Sequence, residues 1–323
     1  MFTFPESRPQ TAMKKLNFIV SLSTNINDFQ LELAATALAA AQKLDVTVQI
    51  IYAENDPVLQ SQQLLKMIQL PRSSHADAIL FHPFGSTALP QVARAAAAAG
   101  VGVAVLNWRA DYVAELRRDY RVPVFIYSSN HREIGHIQAQ QFAALLPEGG
   151  QVLYVRGPSS SYGAEERAAG VAEAKPENIH TKIIRTATWT EEGGYRAVAS
   201  WLRLSTTHDE PIDLVAAQND LIAIGARKAF GEIASDFDRE RRLNLPYTGV
   251  DGLPQTGQIW VRKGLLTSTV IVPPNAGLAV EAMEKALRTG VQPPECILTV
   301  PKSYPTVETL RNNTSTERLP HVP

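Results

Sequence analysis

Apolar runs and amphipathic stretches alternate along most of the chain. Residues 16–22 (LNFIVSL) form the kind of run that a strand buried on both faces needs. Asp28 then stands where a cap would open a helix through LELAATALAAAQKL. The pair repeats as strand 46–53 with helix 58–70, and as strand 78–83 with helix 89–99 before Gly100, followed by strand 102–107. A new series starts with strand 124–128 and helix 131–146, stopped by Pro147 and Gly149-Gly150. It continues as strand 152–155 with helix 165–174, strand 181–186 with helix 191–204, and strand 212–217 with helix 221–233. Strands 247–250 and 268–272, helix 275–287 before Gly290, and strand 297–300 complete the pattern. This alternation predicts βαβ units and parallel sheets. The units outnumber what one sheet usually carries, and the series divides near residues 124–130. The expected fold is α/β, with two doubly wound parallel-sheet lobes.

In such sheets, ligands bind beyond the carboxyl ends of the strands. The residues just after each strand are therefore the informative ones. They include Asn25, Asn27, Asp28 and Phe29 after the first, and His82, Pro83 and Phe84 after the third. Asn107, Trp108 and Arg109 follow the fourth, and Asn130 stands near the division. In the second series come Arg156, Gly157, Ser159–Ser161 and later Arg167, then Trp189, then Gln218-Asn219-Asp220, then Asp251. Amides, carboxylates and a guanidinium bond neighbouring hydroxyls in pairs, and flat rings cover the C–H face of a sugar. Each residue also has a plainer role open to it. Asn25, Asn27, Asp28 and Asp220 fit turns and helix caps. Trp108 and Trp189 fit a core, and Arg167 fits a solvated charge beside Glu165 or Glu166.

Composition narrows the function classes. The chain has 323 residues, 45% apolar and 20% charged, which suits ordinary globular domains. Its 31 basic and 32 acidic residues nearly cancel, so nothing marks a nucleic-acid or acidic-membrane surface. One cysteine, Cys296, precludes an internal disulfide, and seven scattered histidines form no metal pattern. His131 and His136 stand five apart, which does not align two ligands on a helix face. No cofactor is expected. Met1–Met13 carry Pro5, Glu6, Arg8 and Pro9 and do not form an apolar signal core. This predicts a cytoplasmic chain, or one whose export signal has been removed or lost. No run is long enough to span a membrane.

Catalytic signatures are missing as well. No G-x-S-x-G, G-x-x-x-x-G-K-[ST] or H-E-x-x-H occurs. Gly149-Gly150 precedes a strand, not a helix, which is the wrong order for a phosphate cradle. The expectation is a binding protein and not an enzyme.

Several motifs, in order, resemble type 1 periplasmic sugar-binding proteins of the ribose-binding-like group and the related core of LacI-type repressors. They are Ala217-Gln218-Asn219-Asp220 and Gly249-Val250-Asp251-Gly252, supported by the Asn27/Phe29 turn, the 164–170 stretch AEERAAG, and Thr269-Val270 before Pro273-Pro274. The likeness runs from Lys14 to Asn312. It implies a periplasmic-binding-protein-like I fold, two lobes joined by three crossings with a sugar between them. Positions matching Asn27, Phe29, Asn107, Arg167, Trp189, Asn219 and Asp251 line the cleft in that family. Phe29 and Trp189 would sandwich the ring; Asn219, Asp251 and Arg167 would bond hydroxyls from one lobe, Asn107 and Asn27 from the other.

The chain departs from the family in places. The family carries Asp-Arg after the fourth strand, where Asn107-Trp108-Arg109 stand here, so Trp108 or Arg109 takes the Arg position. Gln30 replaces a second aromatic, and Val272 a polar residue. The crossings are expected near Ser128–Asn130, Val272–Pro274 and Thr299–Lys302. Lobe one would then be 14–128 plus 274–298, and lobe two 129–272 plus 300–313, with 1–13 and 314–323 as loose termini. The resemblance implies a protein that closes on a monosaccharide or related polyol and delivers it to an ABC permease. The alternatives are a cytoplasmic sugar sensor acting on a kinase, or a LacI-like effector core without its DNA-binding module. A helix-turn-helix module of about 50–60 residues has no room before residue 14.

Overall fold

The structure, a computed structural model, describes residues 14–71, 75–85, 87–204 and 210–317. Among these residues the first sheet gathers β1 (Asn17–Leu22), β2 (Thr47–Tyr52), β3 (Ala78–Phe81), β4 (Gly102–Leu106), β5 (Val124–Ser129) and β11 (Cys296–Thr299). Its strand order is β11-β5-β4-β3-β1-β2, all parallel. The second sheet gathers β6 (Gly150–Arg156), β7 (Ile179–Arg185), β8 (Leu214–Ala217), β9 (Tyr247–Asp251), β10 (Ser268–Ile271) and β12 (Lys302–Tyr304). Its order, β12-β10-β9-β8-β6-β7, repeats that of the first, except that β12 runs antiparallel.

The continuous apolar runs have a direct cause. Phe18, Val20 and Leu22 of β1 face one core with Leu80 and Leu106, whereas Ile19 faces the opposite core with Ile79, Phe81, Val103 and Val105. Successive side chains alternate between two buried faces, so the central strands are apolar at nearly every position, and the buried Ser21 of β1 accepts a hydrogen bond from Gln60. Helices α1 (Asp28–Leu44) and α11 (Ala276–Thr289) cover one face, bringing Leu33, Ala37, Val280 and Met283. Helices α2 (Pro57–Ile68) and α3 (Pro90–Ala98) cover the other. The second lobe is built alike: Leu153, Val155 and Val215 pack on one side, and Val152, Tyr154 and Leu214 on the other. Its helices are α5 (His131–Leu145), α6 (Tyr162–Ala174), α7 (Glu191–Leu202) and α8 (Asp220–Gly231). The chain passes between sheets at Asn130, between Ile271 and Ala276, and between Thr299 and Lys302.

Several elements escape the hydrophobic pattern. Helices α4 (Val113–Asp119), α9 (Asp236–Leu243) and α10 (Gly257–Arg262) were not expected. In α9 (DFDRERRL) only Arg242 is buried, and its guanidinium donates to the Glu210 carbonyl, so no apolar stripe marks the helix. The tail expected to be loose from residue 314 is helical to its fourth position. Helix α12 (Val307–Glu317) continues there because Leu310 is buried and the Thr314 hydroxyl donates to its carbonyl. Residues 1–13 and 318–323 lie outside the described residues. Among the described residues no helix is long and apolar enough to cross a membrane.

Candidate functional site

In each sheet the strand order reverses beside the first strand, between β1 and β3 and between β6 and β8. The loops leaving such a switch point diverge to opposite faces and open a crevice. Here the two crevices face each other and enclose one cavity of about 240 Å³. Lobe one lines it with Ser23, Thr24, Ile26 and Asn27, Phe29 and Gln30, His82–Gly85, Asn107 and Trp108; lobe two adds Pro158, Ser160, Ser161, Arg167, Thr188–Thr190, Asn219 and Asp251. His131, the first residue of α5, also lines it.

On lobe one, Asn27 is both cap and cavity residue. Its Oδ1 accepts from the Gln30 amide at 3.2 Å, and its Nδ2 donates to the Trp189 carbonyl of lobe two at 2.9 Å. Phe29 packs against a lobe-two cluster that includes Val250 and Val270. These contacts, with Trp108 on Tyr162 at 5.9 Å between centroids, join the two lobes beside the cavity. Buried Gln60 of α2 fixes the loop after β3, donating to the His82 carbonyl at 2.9 Å and accepting from the Phe84 amide at 2.9 Å.

On lobe two, the Gln218-Asn219-Asp220 motif divides its labour. Gln218 accepts from the Gly157 amide at 2.8 Å and donates to the Tyr154 hydroxyl and the Ala164 carbonyl, which props the loop after β6. Asn219 caps α8 through the Ile222 amide at 2.8 Å, while its Nδ2 donates to the Trp189 carbonyl at 3.2 Å. Asp220 accepts from the Gly252 amide at 2.8 Å and the Thr269 hydroxyl at 2.6 Å, pinning the turn that carries Asp251. Burial pushes the Asp220 carboxyl well above the usual range.

Arg167 is buried; it donates to the Gln218 carbonyl, and its carbon Cζ lies 5.5 Å from the Trp189 ring centroid. Its nearest approach to Asp251 is 3.9 Å, and its Nε has no partner. Burial lowers the guanidinium's proton affinity, which the Asp251 charge partly restores. Burial likewise pushes the Asp251 carboxyl up to about 7, against the pull of Arg167. The Trp189 indole lies hard against Gly157, where an added Cβ would stand 2.2 Å from the ring.

Of the nine residues proposed from the sequence, eight line the cavity and one does not. Arg109 is corrected: it points to solvent and pairs with Asp111 at 2.8 Å. β4 ends at Leu106, and Asn107 turns the chain with a left-handed backbone (φ 54). Trp108 therefore takes the cavity wall, and its successor faces outward. Asn107 lines the cavity, yet its Oδ1 already accepts from the Ser129 amide at 2.9 Å, the Ser129 hydroxyl at 3.0 Å and Asn275 Nδ2 at 2.7 Å. It ties together two of the crossings, so its oxygen has little capacity left for a hydroxyl, whereas its Nδ2 makes only a long bond to Asn275 Oδ1 at 3.4 Å. His131 lines the cavity without having been expected there, and Gln30, expected only as a substitute for an aromatic, lines it too. His131 reads from sequence as an ordinary helix start; its one signal is its place directly after a crossing. Among the described residues no group of three His, Cys, Asp or Glu side chains could hold a metal.

Comparison with known proteins agrees with this geometry. A family model described as "Periplasmic binding protein domain" matches residues 18–290. A ribose import binding protein of Bacillus subtilis is 25% identical over 233 residues, 72% of this chain and 71% of that protein. A galactofuranose-binding protein of Escherichia coli is 26% identical over 155 residues, 47% of each chain. An ABC transporter periplasmic solute-binding protein from Actinobacillus succinogenes, solved with D-allose, superposes with a TM-score of 0.77 at 20% identity, covering 92% of this chain and all of that one. A myo-inositol-binding protein of Caulobacter superposes with a TM-score of 0.76 at 20% identity, covering 92% and 95%. Two parallel-sheet lobes around a shared crevice, and a family match across most of the chain, lead to one conclusion: this chain belongs to the periplasmic binding protein domain family.

Proposed function

We propose that the chain is a non-catalytic solute-binding protein that closes on a monosaccharide or related polyol and hands it to an ABC importer or a sensor. The observation that carries this reading is the single cavity at both switch points, with groups from both lobes turned into it. Its volume of about 240 Å³ falls just below the ~300–1,000 Å³ usual for drug-sized ligands, which suits one sugar ring. Phe29, Trp108 and Trp189 offer ring surface, whereas Asn27, Arg167, Asn219 and Asp251 offer donors and acceptors. The ribose, galactofuranose, allose and inositol proteins to which the chain is similar support a ligand of this class. We take residues 14–128 plus 274–298 and 129–272 plus 300–313 as the two bodies that move about the crossings.

A thermal-shift screen against pentoses, hexoses, inositols and their phosphates tests the reading. A ligand at 100 times its dissociation constant adds about 2.7 kcal/mol, visible as a shift of several degrees. A shift with a neutral monosaccharide or inositol is the expected result; no shift across the panel would sink the sugar assignment.

A further inference from the structure

We propose that His131 and His82 contact the ligand directly, presenting neutral imidazole nitrogens to the hydroxyls of an uncharged ring solute. This rests on reading the cleft as a sugar site and specifies the chemistry of that site.

His131 is 7% exposed, lines the cavity, and has no partner at either Nδ1 or Nε2. A buried imidazole with both nitrogens unpaired is costly, and the cavity is where partners can arrive. The ring is closely fitted. An added Cβ on Gly163 would lie 3.0 Å from its Cε1, and the Tyr162 ring meets it edge-on at 5.9 Å. The charged and titratable groups facing it are Arg167 of α6 and His82 of the loop after β3. Burial, with those two, holds its proton affinity well below the usual imidazole range; the nearby Asn107 backbone pulls the other way without reaching hydrogen-bond geometry.

The tautomer of His82 follows from its neighbours. The Ser23 amide donates to Gln30 Oε1 at 3.1 Å, which fixes that side-chain amide. Gln30 Nε2 therefore donates to His82 Nδ1 at 2.6 Å, leaving the proton on Nε2. Burial pulls this imidazole down to about 4, so it stays neutral at physiological pH. Together the pair offers two N–H donors and one bare nitrogen. Hydroxyls satisfy all three because they both donate and accept. A carboxylate only accepts and would leave the bare nitrogen of His131 unmatched.

The test uses the full chain labelled with ¹⁵N-histidine, read by long-range ¹H–¹⁵N spectra at pH 7 beside calorimetry. The neutral probes are D-ribose, D-allose and myo-inositol; the acidic probes are D-ribonate and D-galacturonate. We expect His82 to appear as the Nε2–H tautomer and a neutral probe to shift the His131 nitrogens. His131→Ala should weaken that probe about tenfold or more, and His131→Asn, which keeps a donor and an acceptor, should recover most of the loss. Should His131→Ala fail to fold, the shift in the wild-type spectrum decides. A neutral probe that binds while the His131 nitrogens stay fixed overturns the proposal and leaves the sugar reading intact. Tighter binding of an acidic than of a neutral probe also overturns it. If no probe binds the wild-type chain, the sugar reading falls first and the proposal with it.

Discussion

Asp251 ends β9 with a left-handed backbone (φ 102), and burial pushes its carboxyl up to about 7. A raised acid means that the folded state binds the proton more tightly than the unfolded chain. Its contribution to stability is full below the unfolded value near 3.8 and is lost as pH rises through about 7. Asp251→Asn cannot ionise, so it should gain on the wild type by roughly 2–3 kcal/mol between pH 5 and pH 8. Urea titrations of the ligand-free protein at both pH values measure this; a constant difference would mean that the carboxyl titrates normally. Trp189 tests the other half of the site. Removing its ring in Trp189→Ala should cost roughly 1–3 kcal/mol of sugar affinity by calorimetry, with the fold intact. Equal affinity would place the ring outside the contact.

At the scale of elements, the site is a property of strand ends and their props. The loop after β6 leaves room at Gly157 for the Trp189 indole and is held by Gln218. Gly157→Ala should displace the ring and weaken the sugar at least several-fold, while far-UV circular dichroism stays unchanged. The turn after β4 works differently: Asn107 gathers Ser129 and Asn275 from two crossings onto one oxygen. Asn107→Ala leaves those buried donors unmatched and should cost about 1–3 kcal/mol of stability in urea, before any effect on ligand. No loss of stability would mean that the crossings do not depend on it. The elements differ in how legible they were. β3, β4 and β8 are buried at every position and announce themselves as apolar runs. Helix α9 buries one arginine and shows no stripe, and β12 is three residues long with no buried position, so neither leaves a pattern.

At the scale of the whole molecule, contacts between the two lobes span the cavity. The Asn27 amide to the Trp189 carbonyl is one that crosses the cleft. Asn27→Ser keeps a capping oxygen and removes the crossing donor. It should leave the melting temperature nearly unchanged, enlarge the radius of gyration of the ligand-free protein in small-angle scattering, and speed ligand release. An unchanged radius and release rate would show that the bond plays no part in closure.

The sequence by itself determined that two βα series exist, which strand ends carry polar and aromatic residues, and which motifs resemble sugar-binding proteins. These features are local, because burial on both faces of a strand and capping at a helix start both act over a few neighbouring residues. Only the tertiary structure decided which of those residues meet. It turned Trp108 inward and Arg109 outward, spent the Asn107 carbonyl oxygen on Asn275, 168 positions away, and left His131 unpartnered in the cavity. The order of strands in each sheet and the approach of two lobes set those contacts, and neither is written in the spacing of residues along the chain.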